Sequence, residues 1–130
     1  MTNEQLLAKA REAAEFSYSP YSHFRVGAAV LCSNGSVYTG CNIENASYGA
    51  TICGERTAMV KAISEGHRDF VKLAIVCPDT EDYGMPCGIC RQFMCEFNYD
   101  LELVIGKPNG EYKTWSLRQL LPEAFTPDSL

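Results

Sequence analysis

Between Asn3 and Ser17 the apolar residues Leu6, Leu7, Ala10, Ala13 and Ala14 recur at helical spacing, and Thr2 with Gln5 has the form of a capping box. The pattern predicts an amphipathic helix, broken at Ser19-Pro20-Tyr21-Ser22. Two strand-like runs follow, Val26 to Cys32 and Val37 to Ile43, joined by the turn residues Ser33-Asn34-Gly35-Ser36, which predicts an antiparallel hairpin. A polar stretch from Glu44 leads to Cys53. Beyond it Ala58, Met59, Ala62 and Ile63 mark a second helix that stops at Gly66. Phe70 to Cys77 reads as a buried strand. Pro86 then occupies or adjoins the start of a helix with Ile89, Phe93, Met94 and Phe97 as its apolar face. Leu101 to Ile105, a Pro108-Asn109-Gly110 turn, Tyr112 to Trp115 and a short helix through Leu121 complete the chain.

The predicted order is therefore α-β-β-α-β-α-β-β-α. Five strands with interleaved helices predict an α/β fold of three layers, α-β-α, around a five-stranded mixed sheet, any parallel pair being joined through a helix. The 130 residues suit one domain spanning 1–130, and 46% hydrophobic content suffices to build its core. The apolar runs are far shorter than the roughly 18 residues that cross a bilayer, so no membrane association is expected. The start Thr2-Asn3-Glu4-Gln5 lacks a basic and then apolar leader, which makes the cytoplasm the expected compartment. A net charge of -5, with Lys and Arg scattered from Lys9 to Arg118, argues against gripping a nucleic-acid polymer and leaves a small ligand open.

Seven cysteines, an odd number without an export signal, argue against a disulfide framework. Cys32, Cys41 and Cys77 lie in apolar strand-like runs and are expected to pack in the core. Cys87 and Cys90 are different: as Cys-x-x-Cys at a helix start they lie one turn apart and can clasp a single ion. Cys53, which opens another helix and is followed by Gly54, Glu55 and Arg56, makes the pattern specific. Cys-x-Glu with a later Pro-Cys-x-x-Cys matches, with Cys for His, the signature of zinc deaminases that act on cytosine and adenine.

Three protein ligands leave one tetrahedral position of Zn²⁺ open to water, the arrangement of a catalytic rather than a structural site. Three thiolates around one Zn²⁺ carry a formal charge of about −1, which weakens the metal's effect on water unless something positive compensates. The starts of the two helices and Arg56, three residues beyond Cys53, are the candidates for that compensation. Glu55 is the candidate proton shuttle between water, a ring nitrogen and the leaving ammonia. A spacing of two does not share a helix face, so Cys53 must lie at or just before the first helical residue for Glu55 to approach the metal. Two blander alternatives stand beside this one: a zinc knuckle closed by Cys77, Cys95, His23 or His67, and a redox Cys-x-x-Cys pair. His67 reads as a solvated turn residue, and His23 as a loop residue near the site without an assigned role.

Several blocks are shared with a known family. Phe24-Arg25-Val26-Gly27-Ala28-Ala29, Gly40-Cys41-Asn42-Ile43-Glu44-Asn45-Ala46-Ser47-Tyr48, Ile52-Cys53-Gly54-Glu55-Arg56-Thr57-Ala58 and Pro86-Cys87-Gly88-Ile89-Cys90-Arg91-Gln92, with Leu120-Leu121-Pro122 before Phe125, resemble the small zinc-dependent cytidine deaminases over nearly the whole chain. The resemblance implies hydrolysis of cytidine and 2′-deoxycytidine to uridine and 2′-deoxyuridine, a step of pyrimidine salvage. It implies that Asn42 and Glu44 hydrogen-bond the ribose 3′-hydroxyl, that Phe24 packs on the base and that the Gly54 amide contacts the pyrimidine carbonyl. It further implies that Tyr48 and Phe125 reach a neighbouring subunit's site in a homotetramer. Gly54 departs from the Ala more usual in the family, and Gly costs about 0.5–1 kcal/mol in ordering the turn. A deaminase of another aminated pyrimidine, such as blasticidin S, shares this fold and metal site. A non-catalytic zinc-stabilised binding domain is the reading from a different class.

Overall fold

The computed structural model describes residues 1–130. Its order is α1 (Asn3–Ala14), β1 (Gly27–Cys32), β2 (Val37–Cys41), α2 (Gly54–Ser64), β3 (Phe70–Val76), α3 (Gly88–Phe97), β4 (Glu102–Gly106), β5 (Tyr112–Ser116) and α4 (Leu117–Leu120), with 3₁₀ turns at Tyr48–Ala50 and Pro127–Ser129. The strands form one sheet in the order β2-β1-β3-β4-β5. β3 and β4 are parallel and joined through α3; every other neighbouring pair is antiparallel. The three-layer mixed-sheet architecture read from the sequence is the one observed.

The layers follow from the period of two along the strands. Ala28, Val30, Leu73, Ile75, Leu103 and Ile105 turn to one face and pack in a core with Ala58, Met59, Cys90 and Met94 of α2 and α3. Ala29, Ala74, Val76 and Val104 turn to the other face, where they meet Leu6, Leu7 and Ala10 of α1. Gly27 and Gly40 allow the helices to close on the sheet. A Cβ on Gly27 would stand 1.9 Å from the Ala10 carbonyl oxygen of α1, and one on Gly40 would stand 2.3 Å from the Ala58 nitrogen of α2.

The capping box at Thr2 is present, with the Gln5 amide N–H donating to the Thr2 hydroxyl and the Thr2 N–H to the Gln5 side chain. Gly35 in the hairpin turn and Gly66 after α2 both have positive φ, as a turn and a helix stop of these kinds require. Five local expectations need correction. α1 ends at Ala14, not Ser17, because the chain past it turns to pair Tyr18 with Ile43. The same bridge, with a second one from Ile43 to Ile52, ends β2 at Cys41, two residues early. On α3 the buried stripe starts at Cys90 and runs through Met94 and Cys95, flanked by Phe93 and Phe97, whereas Ile89 is 66% exposed. Cys32, Cys77 and Cys95 are buried, but Cys41 is only half-buried because it lies on the edge strand. His67 is half-buried beside the Tyr38 ring rather than fully solvated. No helix is long and apolar enough to cross a membrane.

Candidate active site

Strand register assembles one end of the sheet. Gly27 of β1 pairs with Cys41 of β2 on one side and with Val76 of β3 on the other. The residues one step beyond, Val26, Asn42 and Cys77, therefore meet in a single row, and all three line a cleft of roughly 670 Å³. Phe24, Glu44, Cys53, Glu55 and Cys87 line the same cleft.

The two helices that carry the thiols begin at this end. Cys53 is the N-cap of α2 and Cys87 the N-cap of α3, each with extended backbone and no side-chain capping bond. Ser, Thr, Asp or Asn ordinarily fills such a position and bonds an amide of the first turn; here each sulfur is left free while remaining close to the positive end of its helix. Cys90 follows Cys87 by one turn, and its side chain is fully buried. The three sulfurs lie within 4.8 Å of one another, and those of Cys53 and Cys87 are 3.7 Å apart. A tetrahedral zinc site with bonds of about 2.3 Å has sulfur–sulfur edges of about 3.8 Å, close to the length the Cys53–Cys87 edge already has, so the three-thiol donor set fits the ion.

The electrostatics centre on one thiolate, Cys53, with one cationic partner, Arg56. Hydrogen bonds from Cys90, Arg56 and Cys87 hold the Cys53 thiol down at about 5. Its hydrogen bond with Cys53, together with burial, pushes the Cys90 thiol up, so in the metal-free chain Cys53 carries the charge and Cys90 the proton. Arg56 donates from Nη2 to the Cys53 sulfur at 3.4 Å, placing its guanidinium where compensation is needed. Glu55, in the first turn of α2, is 4% exposed, and its Oε1 has no hydrogen-bond partner. Burial pushes its carboxyl up to about 7, and the neighbouring Cys53 thiolate adds to the rise. A buried carboxyl with an unpartnered Oε1 beside three converging thiols is costly unless a ligand completes it.

The remaining sequence-selected residues divide into two groups. Asn42 is 7% exposed, and most of its amide is committed. Its Oδ1 accepts from the Val26 N–H at 2.9 Å and the Ser17 hydroxyl at 2.5 Å, and its Nδ2 donates to the Phe24 carbonyl at 2.8 Å. One Nδ2 hydrogen remains. Glu44 Oε1 accepts from the Tyr21 and Ser22 amides, and Oε2 accepts the Ser22 hydroxyl. The Ser22 hydroxyl is the main reason this carboxyl is held below its ordinary range. Phe24 stands in the cleft wall, and Gly54, the first residue of α2, lies in the chain between the cleft residues Cys53 and Glu55. Tyr48 and Phe125 lie outside the cleft of their own chain. Tyr48 is 76% exposed and meets the Tyr21 ring edge-on, and Phe125 is 59% exposed with its carbonyl accepting from Gln92.

Sequence reasoning missed the far wall: Thr80, Asp82, Tyr83, Gly84 and Met85 also line the cleft. They belong to a loop between β3 and α3 with no helix or strand, so no periodicity announced them. Gly84 is the position that could have been singled out, because a Cβ there would fall 2.1 Å from the Cys77 sulfur.

Fold and donor set together define a zinc protein of the α/β deaminase class. The zinc-binding region of cytidine and deoxycytidylate deaminases matches residues 1–107. A cytidine deaminase of Halalkalibacterium halodurans is 47% identical over 131 residues, which is 100% of this chain and 98% of the relative. One of Mycobacterium tuberculosis is 42% identical over 128 residues, 96% of this chain and 90% of the relative. The crystal structure of cytidine deaminase from Burkholderia pseudomallei superposes with a TM-score of 0.92 at 44% identity, covering 96% of this chain and 100% of that one. The chain belongs to the cytidine and deoxycytidylate deaminase zinc-binding family.

Proposed function

We propose that residues 1–130 act as one catalytic domain that hydrolyses free cytidine and 2′-deoxycytidine to uridine and 2′-deoxyuridine, releasing ammonia. The observation that carries this reading is the buried Glu55 carboxyl, its Oε1 without a partner, beside the three sulfurs. Zn²⁺ held by Cys53, Cys87 and Cys90 supplies, when bound, the Lewis acidity that makes water nucleophilic near neutral pH. Glu55 takes a proton from the attacking water and passes it to the pyrimidine N3 as the C4–O bond forms, then carries the proton of the new C4 hydroxyl to the amine, so that the C4–N bond breaks, ammonia leaves and C4=O remains. A carboxyl held at about 7 both accepts and returns a proton at small cost near neutral pH. Arg56 offsets the negative charge of the sulfurs.

Phe24 packs on the base, the Gly54 N–H meets the pyrimidine carbonyl, and the free Nδ2 hydrogen of Asn42 and Oε2 of Glu44 take the ribose hydroxyl. The cleft's lining includes Glu44, Glu55 and Asp82 but no Lys or Arg, which favours an unphosphorylated nucleoside. The exposed rings of Tyr48 and Phe125 support a homotetramer in which they enter neighbouring sites. The reading places the enzyme in cytoplasmic pyrimidine salvage.

Loss of cytosine absorbance and release of ammonia, followed across cytidine, deoxycytidine, cytidine monophosphate and cytosine, test the proposal. Turnover of the two nucleosides alone is the expected outcome. About one zinc per chain with no turnover of either would refute it and favour a binding module.

A further inference from the structure

Arg25 and Asp79 join the two walls of the cleft. Arg25 lies between the cleft residues Phe24 and Val26, and Asp79 lies between Cys77 and Thr80. Asp79 Oδ2 accepts from the Arg25 backbone N–H at 2.8 Å and from its Nε at 3.0 Å, while Oδ1 accepts from Nη2 at 2.8 Å. A two-pronged guanidinium–carboxylate pair with an added main-chain bond fixes direction as well as distance. It also departs from the usual weak surface pair, although Arg25 is 43% and Asp79 26% exposed.

The main chain of Phe24 is held on every side by this network. Its N–H donates to the Ser22 hydroxyl, its carbonyl accepts from Asn42, and the next N–H is the one bound by Asp79. The opposite wall, the loop from Cys77 to Cys87, has little hydrogen bonding of its own. Its internal bonds are a 3.5 Å contact from the Thr80 N–H to the Cys77 carbonyl and one from the Asp82 N–H to the Thr80 hydroxyl. We propose that Arg25 and Asp79 form a clasp across the cleft rim, acting as positioning residues that fix Phe24 against the far loop and so set the affinity for the pyrimidine nucleoside. The proposal rests on the nucleoside reading above. The clasp touches neither the sulfurs nor Glu55, so its effect falls on binding rather than on the chemical step.

Steady-state kinetics with cytidine on the zinc-loaded R25A, D79A and R25A/D79A variants test it. Asp79→Ala should raise KM about tenfold while kcat stays within about threefold and zinc content is unchanged. The double variant should be no worse than the more impaired single one, because both remove the same interaction. Cytidine is uncharged, so a rise of KM between low and roughly 1 M salt reports the protein's own charges; D79N should lose that rise. A KM within about twofold of the parent in D79A, a loss confined to kcat, or additive single effects would overturn the clasp. Should D79A not fold, D79N and R25K keep the packing volume and are judged by the same KM criterion. If the unaltered chain does not turn over cytidine, the deaminase reading fails by itself. Calorimetric affinity for uridine then decides the clasp: about tenfold weaker binding in D79N supports it, and equal or absent binding overturns it.

Discussion

Replacing Glu55 with Gln keeps the side chain's shape while removing its charge, and the consequences for turnover and for stability run in opposite directions. Without a proton carrier at this position, turnover should fall by about 10²–10⁴-fold with zinc retained, because the thiols are untouched. Stability follows from the same burial. In the metal-free chain the carboxyl titrates at about 7 against an ordinary 4.5. Since the folded value lies above the unfolded one, the fold is favoured fully below pH 4.5 and loses that contribution as pH rises through about 7. At 1.36 kcal/mol per pH unit the interval amounts to about 3 kcal/mol near pH 8. Cys53, held down at about 5, acts with the opposite sign, gaining as pH rises, but it is common to both proteins and drops out of their difference. Urea unfolding of chelator-treated parent and E55Q proteins measures that difference. Near pH 5 the two should agree within about 1 kcal/mol, and near pH 8 E55Q should be the more stable by about 3 kcal/mol. Equal stability near pH 8, or a less stable variant, would refute the burial argument. Near-parental turnover by zinc-loaded E55Q would refute the proton-transfer role.

Arg56→Ala removes the guanidinium 3.4 Å from the Cys53 sulfur and should speed zinc loss to a chelator by about tenfold; an unchanged rate counts against charge compensation. Gly27→Ala places a methyl group 1.9 Å from the Ala10 carbonyl oxygen, a main-chain atom with no easy retreat, and should cost at least about 2 kcal/mol in thermal unfolding. An unchanged melting temperature would show that α1 can lift from the sheet. Gly54→Ala is milder: its Cβ would stand 3.0 Å from the Val26 carbonyl oxygen and 3.2 Å from Val26 Cγ1, a crowding of a few tenths of an ångström. The lower entropy of the unfolded chain offsets it, so stability should move by less than about 1 kcal/mol with turnover within about threefold. A larger loss would mean that Val26 cannot yield.

Local signals carried the element order: the capping box at Thr2, the hairpin turn around Gly35 and the helix stop at Gly66 are each set by a few neighbouring residues. They carried part of the site as well. The spacing of Cys53 and Glu55 demanded that the cysteine precede the first helical residue, and it occupies the N-cap. The row of Val26, Asn42 and Cys77 was not legible, because it depends on β1 pairing with β3 across some forty residues, and no pattern within either strand specifies that register. The hairpin fixes β1 against β2, so Asn42 beside Val26 is local information; Cys77 beside Val26 is not. The same distinction separates the residues that hold chemistry from those that shape the cleft. The thiols and Glu55 announce themselves by type and spacing at helix starts, whereas Thr80, Asp82 and Met85 acquire a position through contacts of their loop with distant segments, among them the Arg25–Asp79 pair and the Tyr83 ring against Trp115. The candidate donor thiols and Glu55 are thus readable from short sequence blocks, while the cleft wall depends on contacts between distant segments, such as the one that joins Arg25 to Asp79 across 54 positions.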